Sequence, residues 1–261
     1  MADKEETMGL TLSLEGKVAI VTGASKWTGG AVANKLAEAG ADVAVAARTA
    51  EGLEKVAGEI RAKGRKSLPV PTDVTKIDDI KKMVQTTVDE FGRIDILVNV
   101  AGADIPQPAL ETSEDLWESM IRLNLSSHFY CSQSVAPTMI KQGGGCIIDI
   151  ASTEAYRAAV TNPAYAAAKA GLLNLVMSLA VEWGQYNIRV NAIAPGFIDH
   201  PYLEYAMQIP HLKAIFDKIP LQRGVKPEEI GAAAVYLASD AAAYTTGITI
   251  PLDGGMISRL G

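Results

Sequence analysis

Seven short apolar runs recur along this chain at intervals too long for β-hairpins, and that spacing restricts the fold more than any other feature. They occupy 18–21, 43–47, 67–70, 94–98, 146–150, 189–192 and 248–251, and most of the segments between them carry apolar residues at helical spacing. A run with no polar alternation suits a strand buried on both faces. Strands that alternate with amphipathic helices build a parallel sheet covered on both sides. The expectation is an α/β fold of the doubly wound Rossmann type, with about seven strands.

Composition fits this and limits the functions open to the chain. At 261 residues, 48% hydrophobic and 21% charged, it can form one large domain over 14–261. Residues 1–13 are polar and acidic, without the apolar stretch of a signal peptide, and read as a flexible arm in which Met8 is an alternative start. The apolar stretch 164–180 is interrupted by Lys169, Asn174 and Ser178, so no membrane span is expected. A net charge of −6 and a pI near 5.2 argue against nucleic-acid binding. Cys131 and Cys146 read as buried, reduced thiols, and neither they nor His128, His200 and His211 have metal-ligand spacing. A cytoplasmic protein without a metal site is expected.

Two local patterns carry chemistry. The segment Val18-Ala-Ile-Val-Thr-Gly-Ala-Ser-Lys-Trp-Thr-Gly-Gly-Ala31 passes from apolar run to glycine-bearing turn to helical periodicity. That order sets unpaired helix N–H groups and a positive dipole end where a pyrophosphate can lie. Far downstream, Tyr165 and Lys169 stand four residues apart in a helical stretch, which puts a phenol and an ammonium on one face. A fixed cation lowers the pKa of a phenol and makes it usable as an acid and base.

With further motifs between and beyond these, the chain resembles the classical short-chain dehydrogenase/reductase family, near the branch of the 3-oxoacyl-carrier-protein reductases. The resemblance runs from about Leu14 to Met256. Thr22-Gly23, Asp73-Val74, Asn99-Val-Ala-Gly102, Asn124, Ser152 thirteen residues before Tyr165, Pro195-Gly196 and Asp253-Gly-Gly255 fall in the family's order. It implies hydride exchange between a nicotinamide and a ketone or secondary alcohol. Tyr165 is then the proton donor or acceptor, and Ser152 stabilises the charge on the reacting oxygen. Lys169 holds the nicotinamide ribose and depresses the Tyr165 pKa. Asn124 holds a water that connects Lys169 to solvent, or else simply bonds its own helix backbone.

The same resemblance assigns the cofactor site to Gly23, Ser25, Lys26, Trp27, Thr28, Gly29, Asp73, Val74, Asn99, Ala101, Gly102, Tyr165, Lys169, Pro195, Gly196, Ile198 and His200. At the end of the second strand Ala47 offers no carboxylate to a ribose 2′-OH. Arg48 and Lys26 instead suit a 2′-phosphate. NADP(H) is therefore expected over NAD(H). Three residues depart from the family pattern: Trp27 replaces the middle glycine of the phosphate loop, His200 stands at a usual threonine, and Val100 replaces a second asparagine. A bulky residue forced to positive φ costs about 1–2 kcal/mol, so Trp27 either turns its ring aside or weakens dinucleotide binding.

Residues 197–220 read as a substrate lid rich in apolar and aromatic side chains, which favours a small apolar or cyclic substrate. Tyr202 and Tyr205 in the lid, with Glu154 and Tyr156 just past Ser152, are the candidate substrate contacts. A 3-oxoacyl-[acyl-carrier-protein] reductase is the alternative, although Ala136-Pro-Thr-Met139 and Val181 lack the cations an acidic carrier needs. A non-catalytic dinucleotide sensor is an alternative of another class, supported by Trp27. By resemblance the chain forms a homotetramer, or a dimer.

Overall fold

The computed structural model describes residues 12–158 and 160–258; the arm read over 1–13 lies outside them except for its last two residues. The strands are β1 (Val18–Thr22), β2 (Asp42–Ala47), β3 (Ser67–Pro71), β4 (Ile96–Asn99), β5 (Gly145–Ile150), β6 (Ile188–Pro195) and β7 (Thr249–Leu252). They form one parallel sheet in the order β3-β2-β1-β4-β5-β6-β7. All seven runs expected from sequence are strands, with ends displaced by at most three residues. The order reverses between β1 and β4, and at such a switch point the strand ends leave a crevice for a ligand.

The helices are α1 (Trp27–Glu38), α2 (Ala50–Arg61), α3 (Ile77–Phe91), α4 (Glu114–Ile121), α5 (Ser127–Lys141), α6 (Pro163–Trp183), α7 (Pro201–Ala206), α8 (Pro210–Phe216) and α9 (Pro227–Ala238). Strand residues alternate between two cores. Ala19 and Val21 face α1, α2 and α9 through Val32, Leu36, Val56 and Ile230. Ile20 faces the other side, where Ile80, Met83, Val135, Leu172 and Val176 of α3, α5 and α6 pack. Burying each Leu, Ile or Val side chain stabilises the fold by about 1.5–3 kcal/mol.

The stretch 163–186 is long and apolar enough, by length and composition, to cross a membrane. Here its inner residues Leu172, Val176 and Leu179 belong to the sheet's core. Between α4 and α5 the chain makes a π-helical turn, Arg122–Ser126, a wide turn that recurs at functional sites. Asn124 sits in it, fully buried.

Candidate active site

The cleft is built where β1 and β4 end. Thr22 Oγ1 accepts hydrogen bonds from the backbone of Val100 (3.1 Å) and Ala101 (3.2 Å), tying the two strand ends together. Gly23 follows with φ of 66°, and a Cβ there would stand 2.9 Å from the Ala101 backbone. A Cβ on Gly29 would run into the Gly23 carbonyl. No side chain caps the N-terminus of α1, so its first N–H groups point into a backbone-lined cradle that suits an anion. Ser25 and Thr28, half-buried, complete this loop.

Trp27 takes the positive φ, 47°, that its place in the glycine motif demands. Its ring turns aside and stacks on His200, with centroids 5.3 Å apart and planes at 10°. Lys26 Nζ lies 3.9 Å from the same indole centroid. His200 caps α7 by accepting from the Tyr202 N–H through Nδ1 (3.1 Å), and its ring nears Tyr202, which nears Tyr205. The loop before α1 and the segment 197–220 thus meet through an aromatic ladder.

Of the cations expected near a 2′-phosphate, both Arg48 and Lys26 are exposed. Burial pushes the Asp73 carboxyl up, but bonds from Thr75 and the charges of Lys76 and Arg48 hold it below its ordinary value. Those Thr75 bonds, at 3.0 and 2.7 Å, occupy one carboxylate oxygen in a turn. Val74 beside it is buried. Across the cleft, Gly196 N donates to Leu252 O (3.0 Å), fixing the turn after Pro195, and Ile198 bridges to Val225.

Ser152, just past β5, accepts from the Glu154 N–H (3.1 Å), and its hydroxyl favours the ionised form of Tyr165 on α6. Lys169, one turn along α6, is 3% exposed and donates to the Ile150 carbonyl (2.7 Å). Asn124 Nδ2 donates to the carbonyls of Ala103 (3.0 Å) and Met120 (3.1 Å), while its Oδ1 accepts from Ala103 N (3.1 Å). A Cβ on Gly102 would meet Asn124 Oδ1 at 2.8 Å and Lys169 Nζ at 3.7 Å, so these side chains flank its backbone. The four expected catalytic positions converge on one place.

One expectation is corrected. Lys169 does not depress the Tyr165 hydroxyl here: burial, Asp104 and Glu154 push that hydroxyl above its ordinary value, and the opposing influence is the Ser152 bond. Lys169 Nζ stays 5.6 Å from the Tyr165 ring centroid because it is held by the Ile150 carbonyl. Burial brings Lys169 itself down to about 8, against the charge of Asp149.

Two residues at the mouth escaped the sequence reading. Asn162 Nδ2 donates both to Asp104 Oδ1 (2.7 Å) and to Glu154 Oε2 (3.0 Å). Loss of hydration and the Asp104 charge raise Glu154 to about 7, and Asp104 is raised in turn by its own desolvation. Asp104 stands two residues past the Asn99–Gly102 motif, which is the signal that points to it. Tyr156, Tyr202 and Tyr205 are 43%, 46% and 55% exposed and offer aromatic surface rather than a closed pocket.

Residues 23–257 match the family described as enoyl-(acyl carrier protein) reductase. The 2-dehydro-3-deoxy-D-gluconate 5-dehydrogenase of Escherichia coli is 41% identical over 249 residues, covering 95% of this chain and 98% of that protein. A solved short-chain type dehydrogenase/reductase from Mycobacterium marinum superposes with a TM-score of 0.87 at 38% identity, over 95% of this chain and 98% of that one. A structure from Beutenbergia cavernae, described as an NAD(P)-dependent gluconate 5-dehydrogenase with NADP bound at low occupancy, has a TM-score of 0.90 at 34% identity, over 96% of this chain and all of that one.

Proposed function

We infer the function of this chain from its family: it belongs to the short-chain dehydrogenase/reductase family and is an oxidoreductase that uses a nicotinamide cofactor. The specific reading is an NADP(H)-dependent interconversion of a small ketone and its secondary alcohol. The observation that carries it is the Ser152–Tyr165 contact with Lys169 one turn behind.

The residues present fit a dinucleotide. Gly23 and Gly29 leave a cradle that any Cβ would fill, the N–H groups of α1 are uncapped, and the Trp27 ring is turned away. Gly23, Ser25, Thr28 and Gly29 would hold the pyrophosphate. Asn99, Ala101 and Gly102 would back the ribose, and Lys169 would hold its hydroxyls. Ala47 and Arg48 at the end of β2 favour a 2′-phosphate over a free 2′-OH, with Lys26 on the other side. When bound, the nicotinamide supplies or accepts the hydride.

The protein supplies orientation and the proton. In the reductive direction Ser152 donates to the carbonyl oxygen, and Tyr165 passes its proton to that oxygen as charge builds there. The Ser152 hydroxyl, which favours the ionised phenol, limits the cost of the phenolate left behind, while Lys169 keeps a fixed positive charge for the ribose hydroxyls. Asn124, joined to the Ala103 backbone, keeps the loop beside Lys169 in register. The residues 197–220 act as the lid, with Trp27, His200, Tyr202 and Tyr205 as an aromatic wall for a small apolar or cyclic substrate. Asp104 and Glu154 disfavour an anionic one, and Glu154 can accept a substrate hydroxyl.

An acyl-carrier substrate is disfavoured by the neutral, 86% exposed Val181 on α6, where a basic residue would steer an acidic partner. The same exposed apolar side chains, with Phe129, Tyr130 and Leu175 in a shallow groove on α5 and α6, support assembly as a homotetramer or dimer. Free buried Cys131 and Cys146 suit a reducing, cytoplasmic setting. Calorimetric titration with NADPH and NADH, followed by a screen of small ketones and of a β-ketoacyl carrier, tests the reading. Tighter NADPH binding with turnover of free ketones is the expected result. Turnover confined to the carrier-bound substrate would replace it.

A further inference from the structure

Beneath the cleft lies a buried pair of titratable groups that none of these steps uses. Asp149 in β5 and His128 on α5 are each 1% exposed. His128 Nδ1 lies 2.8 Å from Asp149 Oδ1, and Nε2 lies 3.2 Å from the Ala101 carbonyl oxygen. Asn99 Nδ2 donates to the same Asp149 Oδ1 at 2.9 Å. Asp149 Oδ2 and Asn99 Oδ1 have no partner.

Counting protons shows what the pair must hold. A carbonyl only accepts, so the Nε2 that faces Ala101 carries a hydrogen. A neutral imidazole then presents a bare Nδ1 to Asp149, and a contact of 2.8 Å between two acceptors is not a bond. A second hydrogen must sit on Nδ1 or on Asp149. In either form the pair holds one proton more than a neutral histidine beside a carboxylate, and its net charge is zero. Losing that proton sets two acceptors against each other and leaves a buried, unpaired charge, which is costly unless a cation is near.

The cation is Lys169. Its Nζ is bonded to the carbonyl of Ile150, the neighbour of Asp149 on β5, and the Asp149 charge favours its ammonium form. We propose that Asp149 and His128 are a positioning pair for Lys169: they share one buried proton, and its loss supplies the counter-charge that keeps the Lys169 ammonium in place as pH rises. The pair acts through Lys169 and not on substrate, so the inference rests on the role given to Lys169 above.

The groups facing this centre are few. From α6 come Lys169 and Tyr165, from the π-helical turn the uncharged Asn124, from β4 the uncharged Asn99, and from α5 Cys131 with His128. Burial, reinforced by the Asp149 charge, holds the Cys131 thiol protonated, so it does not compete for the shared proton. Burial, reinforced by the Lys169 charge, holds His128 below its ordinary value, against the bond and charge of Asp149 and the bond to the Ala101 carbonyl.

Asp149→Asn and His128→Gln separate the two partners. The amide nitrogen of Asn at 149, set in place of Oδ1, can donate to a neutral His128 once the Asn99 amide turns its unpartnered Oδ1 toward it, so this variant keeps the histidine contact and removes the charge. Gln at 128 leaves Asp149 without a proton to share. In the holoenzyme reducing a ketone, the alkaline limb of kcat/KM should move down by about one pH unit in Asp149→Asn and up in His128→Gln. The plateau kcat should stay within a few-fold. Limbs that stay at the wild-type position, or move in the same direction, overturn the proposal. Nitrogen-15 NMR of the labelled imidazole is independent of turnover and of the second variant's folding. Near neutral pH His128 should show a hydrogen on Nε2 and a second one shared through Nδ1, the latter absent in Asp149→Asn. An imidazole in the wild type that carries its only hydrogen on Nδ1 and is bare at Nε2, the form with no extra proton, overturns the pair even if no substrate is found. The expected NMR pattern with no ketone turned over would leave the pair standing and remove the functional reading.

Discussion

The indole of Trp27 lies nearly parallel to the imidazole of His200, 5.3 Å away and tilted by only 10°. That stack joins the loop before α1 to the segment 197–220. It also explains how a tryptophan survives at φ of 47°: the conformation costs about 1–2 kcal/mol, and the stack returns about 0.5–1.5 kcal/mol.

Because those terms nearly cancel, Trp27→Gly should change the melting temperature by only a few degrees. Cofactor affinity should rise several-fold as the loop backbone is released. Calorimetry checks both. Affinity that falls about tenfold instead would make the indole itself a cofactor contact.

Tyr165→Phe keeps the packing of α6 and removes the proton. Turnover should fall by about 10²–10⁴-fold, with the NADPH dissociation constant unchanged. Loss of cofactor binding together with a lower melting temperature would assign Tyr165 to the fold.

The charge of Arg48 should discriminate between cofactors. Arg48→Ala is expected to weaken NADPH binding by about 10- to 100-fold, the worth of a charge-assisted bond, and to leave NADH binding unaltered. Equal weakening of both would place Arg48 away from the 2′ position.

Glu154 gives a pH signature of stability. Its folded pKa, about 7, lies above the ordinary 4.5 because of burial and the neighbouring Asp104. A raised carboxyl stabilises the fold below the unfolded value, and that contribution is lost as pH rises through about 7. Glu154→Gln should therefore melt higher than wild type at pH 8 but not at pH 4. A constant difference across that range would show that the carboxyl does not titrate in this window.

Lys169 behaves with the opposite sign. Burial lowers it from 10.5 to about 8, so the fold loses stability as pH falls through about 8, and Lys169→Met should recover it at pH 7. Reduction of a ketone by the wild type should slow above about pH 8, where the ammonium is lost. A flat profile to pH 10 would contradict the burial of that charge.

The fold was legible because both faces of the sheet are covered, so every strand appears as an uninterrupted apolar run. Strand ends were less so. β6 was read to end at Ala192 and continues to Pro195, because pairing with β7 rather than side-chain type sets its limit. The start of α1 at Trp27 was not legible, since the glycines and Trp27 of its first turn carry no apolar stripe.

The candidate positions could be picked out by the family's spacing, and the structure sets Asn124 and Lys169 beside Gly102 and Lys169 against the end of β5. The π-helical turn that aims Asn124 was not, because a single widened turn leaves the sequence period almost unchanged. His128 was read as one of three scattered histidines. Its partner is brought by tertiary packing of α5 on β5. The lone acid in the run 146–150 was the available sign, since a carboxyl in a fully buried strand requires a partner. Asn162 escaped because its contact to Asp104 spans 58 residues.

Asp149 also matters before any sheet exists. The strand Gly-Cys-Ile-Ile-Asp-Ile has the composition that self-associates into cross-β stacks, and this aspartate is its only charge. In the nascent chain it is hydrated and ionised, and copies of the segment repel one another. Once β4 and β6 close around it, the carboxyl exchanges that guard duty for the company of an imidazole. Removing the charge therefore weakens a safeguard against aggregation during synthesis, even where the finished sheet accepts the amide.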